Sequence, residues 1–255
     1  MVAMDYSKIR PFLKYGLPLI LLVVAGFLIL GYAGDADIRE AYTAAEKGDW
    51  QQAGALFEAA AENHPNHPEL WEQAGIAFLQ TSDFVNARLA FEKAYQSGAL
   101  SESGMIIWTD LLIDAEESST ALKAILAWLN INSDSPAGWK KAAYLQKEVQ
   151  DFEASLESWQ EVLGIEPLSP EANVEIGKLF LVSEPNDSRR YLEFSASSEN
   201  AWQTEAQAWL DLLDVSGETE DPAHQLTIIG QAMAAKAEWG LAAEALSNAI
   251  EADST

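Results

Sequence analysis

Cysteine is absent from all 255 residues. That excludes disulfides, thiolate metal sites, iron–sulfur clusters and a cysteine nucleophile. It leaves the compartment open, because a cysteine-free chain is stable in either redox setting. Positive charge is scarce: 15 Lys plus Arg face 40 Asp plus Glu, a formal net charge of −25. A phosphate backbone needs a cationic face, so nucleic acid is not an expected partner. There are only three histidines. His64 and His67 are separated by Pro65 in a loop with no third ligand nearby, and read as loop decoration rather than a metal site. His224 stands alone. No Gly-rich phosphate loop, nucleophile elbow or HExxH is present. Acid pairs such as Glu116-Glu117 read as a solvated face. The sequence therefore predicts no catalytic, metal or cofactor site. With 49% hydrophobic residues it is not a disordered acidic tail either.

The longest uncharged stretch is Tyr15 to Gly34, 20 residues with the core Leu17–Leu30 reading LPLILLVVAGFLIL. At about 1.5 Å rise per residue, such a helix spans the roughly 30 Å hydrocarbon layer. Residues 15–34 are thus expected to be a transmembrane helix, with Pro18 in its first turn, where a missing N–H costs little. Lys8, Arg10 and Lys14 precede it, and Asp35 and Asp37 follow. The positive-inside rule then places residues 1–14 in the cytoplasm and residues 35–255 outside it. The alternative is a cleaved signal peptide and a secreted product, because Gly31-Tyr32-Ala33 supplies small residues at the cleavage positions.

The remainder has an internal period. Trp50 and Phe84 are 34 residues apart, Trp71 and Trp139 are 68 apart, and Gly75 and Gly177 are 102 apart. Pro68, Pro136 and Pro170 share the grid. The clearest unit begins at Pro68. In it Trp71, Ala74, Gly75 and Phe78 recur on one face of a first helix, and Ala87, Phe91 and Ala94 on one face of a second. Small Gly75 and Ala87 let the two helices approach, with Phe78 and Phe91 filling the space beside the contact.

These residues resemble the tetratricopeptide repeat (TPR) pattern: a large apolar residue, a small pair, an aromatic, then Ala, Phe and Ala on the second helix. The resemblance implies an all-α fold, a right-handed superhelical solenoid of helix-turn-helix repeats, added to the N-terminal transmembrane helix. Five to six repeats are expected, at 34–67, 68–101, 102–135 (degenerate), 136–169, 170–222 and 223–255. Gly177 and Gly230 are 53 residues apart, 19 more than one period, so 170–222 is irregular and Asn200–Asp214 is the candidate extra helix. Trp50, Trp71, Trp139, Trp159 and Trp239 fall on expected core positions.

In this family the first helices line a groove that grips peptides. The register assigns Ile38, Tyr42, Ile76, Leu79, Ile106, Ile113, Tyr144, Val174 and Leu181 to that groove. Glu69, Glu72, Asp110 and Asp114 form its acidic rim. The Lys and Asn set that clamps a C-terminal carboxylate in some relatives is missing from the first two units, which argues against binding of heat-shock-protein tails. Lys140, Lys141, Lys147 and Lys178 cluster on two first helices; the expectations are a seat for an acidic partner segment or solvated lysines balancing nearby acids. The implied function is a membrane-anchored adaptor for proteins or peptides with basic or apolar segments, acting in assembly or export of envelope complexes. The alternative is a structural subunit of a larger membrane complex.

Overall fold

The computed structural model describes residues 35–197 and 199–253. The expected transmembrane helix at 15–34 lies outside the described residues, within which no helix is long and apolar enough to cross a membrane. Every regular element among the described residues is an α-helix, thirteen in all. They are α1 (Ala36–Glu46), α2 (Trp50–Asn63), α3 (Glu69–Gln80), α4 (Phe84–Gln96), α5 (Glu102–Asp114), α6 (Ser118–Leu129), α7 (Pro136–Glu148), α8 (Phe152–Ile165), α9 (Pro170–Leu181), α10 (Pro185–Ala196), α11 (Gln203–Ser216), α12 (Pro222–Ala235) and α13 (Trp239–Asp253).

Local chemistry sets the helix starts. Ser101, Ser135 and Ser169 each accept a hydrogen bond from the backbone N–H three residues on, and so do Asp83 and Asp151. Such caps satisfy one of the orphan donors of a first turn. Pro136, Pro170, Pro185 and Pro222 occupy first-turn positions that need no N–H.

The turns inside the first four helix pairs repeat atom for atom. Gly48, Ser82, Glu116 and Gln150 all have φ between 60° and 79°, in the left-handed region. The next residue in each case returns its N–H to the carbonyl five residues back: Asp49 to Ala44, Asp83 to Phe78, Glu117 to Leu112 and Asp151 to Gln146. This is the Schellman closure of a helix C-terminus. The same register would next require an N–H at position 185, which is proline. Pro185 cannot donate, and it steers Glu184 to φ −132°. There the closure is the four-residue bond from Glu184 N–H to Phe180 O.

The described residues fall into two compact units that divide after Ala121. The first holds α1 to α5 and the start of α6. Its core is built from Ile38, Phe57, Leu70, Phe91 and Met105, all fully buried. Gly54 lies against the Phe78 ring and Gly75 against the Phe91 ring, so close that a Cβ at either would come within 3 Å of ring carbons. Close helix approach at small residues is what the sequence pattern of the Pro68 unit requires.

The second unit has one continuous core that includes Trp159, Ile176, Leu192, Trp209, Ile229 and Leu241. Gly177 and Gly230 repeat the small-residue contact, against Leu192 and Leu246. The 19 residues beyond one period between Gly177 and Gly230 accommodate α11, which buries Ala206, Trp209, Leu210 and Leu213. The hairpin α12–α13 then packs back on α7 to α9. Gly240 faces Gln150 and Phe152 at the α7–α8 turn, and Asn248 Nδ2 donates to Val182 O at the end of α9 (2.8 Å).

Candidate interaction site

The residues assigned to an apolar groove separate by depth. In the first unit Ile38 and Tyr42 are core: Tyr42 is 2% exposed, its ring edge-on to Phe57 at 4.8 Å. Ile76 and Leu79 are buried as well. The reason is the narrow pairing of α3 with α2 and α4 at Gly54 and Gly75, which encloses α3 on most sides. Ile106 and Ile113 of α5 stay half-buried, on the same helix face as Asp110. Glu72, expected on the rim, points inward. It accepts the Ser101 backbone N–H (2.8 Å) and the Ser101 hydroxyl (2.5 Å). Burial pushes its carboxyl above the ordinary range, and the two Ser101 hydrogen bonds only partly oppose that shift.

In the second unit Val174 and Leu181 are fully buried, and Tyr144 is half-buried, donating its hydroxyl to Glu171 Oε1 (2.9 Å). Burial, followed by the negative charges of Glu175 and Glu171, raises the Tyr144 phenol.

The lysines balance nearby acids, and Lys178 does so out of solvent. Lys140 Nζ lies 3.1 Å from Glu166 and 3.2 Å from Glu171. Lys141 is partly buried on the same helix and also has partners. Lys147 Nζ lies 2.7 Å from Glu175 and 3.5 Å from Glu238. Lys178 is 3% exposed; its ammonium contacts Glu175 (2.8 Å), Glu205 (3.4 Å) and Glu238. Burial alone would lower the Lys178 pKa, but the charges of Glu175 and Glu238 outweigh it and hold the ammonium well above its ordinary value. Glu238 shows the converse: burial raises its carboxyl, and Lys178 and Lys147 bring it below the ordinary range. Around Lys147 and Lys178 the carboxylates of Glu175, Glu205 and Glu238 outnumber the ammoniums. An acidic partner segment arriving there would meet net negative charge.

Glu238 sits in the turn between α12 and α13, so this network pins the returning hairpin to α7 and α9. Lys236 adds a cation–π contact, its Nζ 4.9 Å from the Trp209 ring centroid. Trp209 in turn donates its indole N–H to Glu205 Oε1 (3.3 Å).

The histidines are structural in placement. His64 Nε2 lies 2.9 Å from Asp37 Oδ2 and ties the end of α2 to the start of α1. Burial would raise the Asp37 carboxyl, but hydrogen bonds from His64 and the Ile38 N–H hold it below its ordinary value. His67 Nδ1 lies 3.1 Å from Glu69 Oε1. Among the described residues no group of three or more His, Cys, Asp or Glu could hold a metal ion.

Of the tryptophans assigned to the core, Trp159 is fully buried, and Trp50, Trp71 and Trp139 are partly so. Trp71 carries the Lys93 ammonium 4.0 Å from its ring centroid. Trp239 departs from expectation: it is 68% exposed. It heads α13, whose inward face toward α12 is made by Leu241, Ala242, Ala245 and Ala249 instead. A shallow cleft of about 560 Å³ lies where α7, the α8–α9 loop and Trp202 meet, lined by Lys140, Glu166, Leu168 and Glu171.

Residues 38–102 match the family model of the tetratricopeptide repeat. The chain is similar in fold to the crystal structure of a MamA protein, with TM-score 0.54 and 15% identity over 68% of this chain and 92% of that one. It is also similar to YrrB, described as a TPR protein with an unusual peptide-binding site, with TM-score 0.54 and 16% identity over 73% and 96%. A second MamA structure gives TM-score 0.53 and 16% identity over 66% and 96%. No curated protein matches the sequence. At these identities the likeness establishes the fold, a TPR-like array of helix pairs.

Proposed function

We propose that the chain is a protein–protein interaction scaffold, held at a membrane by residues 15–34, with its helical repeats on the non-cytoplasmic side. The carrying observation is the run of TPR-like helix pairs, together with a solved neighbour of the same fold described as peptide-binding. Its work is non-covalent. Affinity comes from a few apolar anchors, and the strongly acidic surface favours basic partner segments over anionic ones. Ile106 and Ile113 beside Asp110 remain accessible for that role in the first unit, whereas Tyr42, Ile76 and Leu79 support the surface from beneath. Recruitment of partners during assembly or export of envelope complexes is the process such a topology suits. It is supported by the 20-residue uncharged run and its basic N-terminal flank.

The test is purification of the full-length protein from its native membranes in mild detergent, with mass spectrometry of whatever is retained and its stoichiometry. Retained proteins released by Ile113→Glu fit the scaffold reading. A chain that extracts from membranes with salt alone removes the anchor, and one that retains nothing removes the scaffold.

A further inference from the structure

Helix α13 has two apolar faces where one suffices for folding. Leu241, Ala242, Ala245 and Ala249 are buried toward α12. Trp239 and Ile250 are 68% and 72% exposed, Ala243 between them is exposed too, and Leu246, which packs one side against Gly230 of α12, keeps 38% of its surface exposed. These four are spaced i, i+4, i+7 and i+11, which at 3.6 residues per turn aligns them in a single stripe about 16 Å long. A tryptophan and two aliphatics in line on an exposed helix are the residue types that anchor interfaces, and isolated surface apolars need no such alignment.

The charge beside the stripe has one sign. From Glu218 to Asp253 there are seven acids and a single Lys or Arg, Lys236. Lys236 is turned away, its ammonium over the Trp209 ring. Glu244 and Glu251 follow one another along one flank of the stripe at helical spacing, and Glu244 is exposed. A second copy would bring the same acids to the contact on a chain of net charge −25, setting like charges together.

We propose that the outer face of α13 docks an amphipathic, cationic helix of a partner protein. The inference deepens the scaffold reading and rests on it. Apolar residues of the partner helix lie along Trp239, Leu246 and Ile250. Its flanking Lys or Arg meet Glu244 and Glu251, and one cation stacks on the exposed Trp239 ring.

The probe is a fluorescein-labelled amphipathic Leu–Lys peptide of about 18 residues, long enough to be helical when bound. It is titrated into the full-length chain in a maltoside detergent and followed by anisotropy, with detergent alone as the blank. Saturable binding is expected, weakened by salt. It should fall at least about tenfold in Ile250→Lys, and measurably in the neutral Ile250→Gln. Leu89→Lys, at an exposed leucine of α4, should leave it unchanged. A Leu–Glu peptide of the same pattern should not bind. Circular dichroism of each variant checks folding. Equal affinity for wild type and both Ile250 variants overturns the proposal, as does equal binding of the Leu–Glu peptide or no binding of either. Dimerisation of the wild type that Ile250→Lys abolishes also overturns it, by making the occupant a second copy. A native partner retained equally by wild type and Ile250→Lys overturns this docking face and leaves the scaffold standing; absence of any retained partner overturns both.

Discussion

Replacement of Lys178 by methionine tests whether the buried ion network holds the second unit together. The ammonium is 3% exposed and reaches Glu175, Glu205 and Glu238. Methionine keeps much of the volume and removes the charge. Glu175, itself nearly fully buried, then keeps Lys147 at 2.7 Å; Glu238 keeps the same lysine at 3.5 Å; Glu205 keeps the Trp209 N–H at 3.3 Å. The carboxylates are left with one ammonium among them. Removing one partner of a buried pair costs about 3–5 kcal/mol, because the orphaned charge stays out of water. Lys147 compensates in part, so a loss of about 3 kcal/mol is expected from that range. Urea unfolding at pH 7, followed by far-UV circular dichroism and tryptophan fluorescence, measures it. Adding Glu175→Gln to the Lys178→Met background removes the excess buried negative charge, leaves Lys147 to Glu238, and should restore about 1–2 kcal/mol. A loss below about 1 kcal/mol, or a double variant weaker than the single one, would refute the argument that these charges are truly desolvated.

Further outcomes follow from neighbouring contacts. The Glu238 carboxyl is depressed in the folded state, so its stabilisation is present above the unfolded value of 4.5 and fades as pH falls through the folded one. The stability gap between wild type and Glu238→Gln should therefore be open at pH 7 and close as pH falls below 4.5; a constant gap counts against the pairing. Glu72 behaves oppositely. Its raised folded value gives stability below 4.5 that is lost as pH rises, so Glu72→Gln should gain on wild type between pH 4 and pH 7 in urea midpoints. Gly177→Ala places a Cβ 2.6 Å from Leu192 Cδ2 and should cost about 1–3 kcal/mol. An unchanged thermal midpoint would show that α9 and α10 separate freely.

The helix pairs were legible because their causes are local or periodic. Gly75 opposite Phe91 is written in the 34-residue register, and the serine and aspartate caps sit immediately before the helices they start. The depth of a first-helix residue was less legible. Tyr42 and Ile76 share a helical face with residues that stay accessible, and only the tightness of the neighbouring contacts decides which side is covered. The lysines were the least legible. Lys147 pairs with Glu238, 91 residues away, because the last hairpin returns to the ends of α7 and α9. No spacing rule anticipates a return of the chain. A lysine on a half-polar helix reads as solvated until the opposing acids are placed. Trp239 differs for a related reason: its place in the repeat register implies a following layer, and in the described residues that side of α13 faces outward.

The left-handed turn residues have a consequence for how the chain can be tuned. The same backbone shape is held by glycine at 48 but by serine, glutamate and glutamine at 82, 116 and 150. A side chain in that conformation costs on the order of 1 kcal/mol relative to glycine. Each site closes its own helix pair, so relief at each should accumulate with little coupling. They work as separate dials on a common mechanism, each reachable by one substitution; Gln150 also packs against Gly240 of α13, so 82 and 116 are the cleaner sites. Stability could be raised in graded steps at 82 and 116 with the outer face of α13 unchanged, and such a graded series would sort surface effects from folding effects in any binding experiment on this chain.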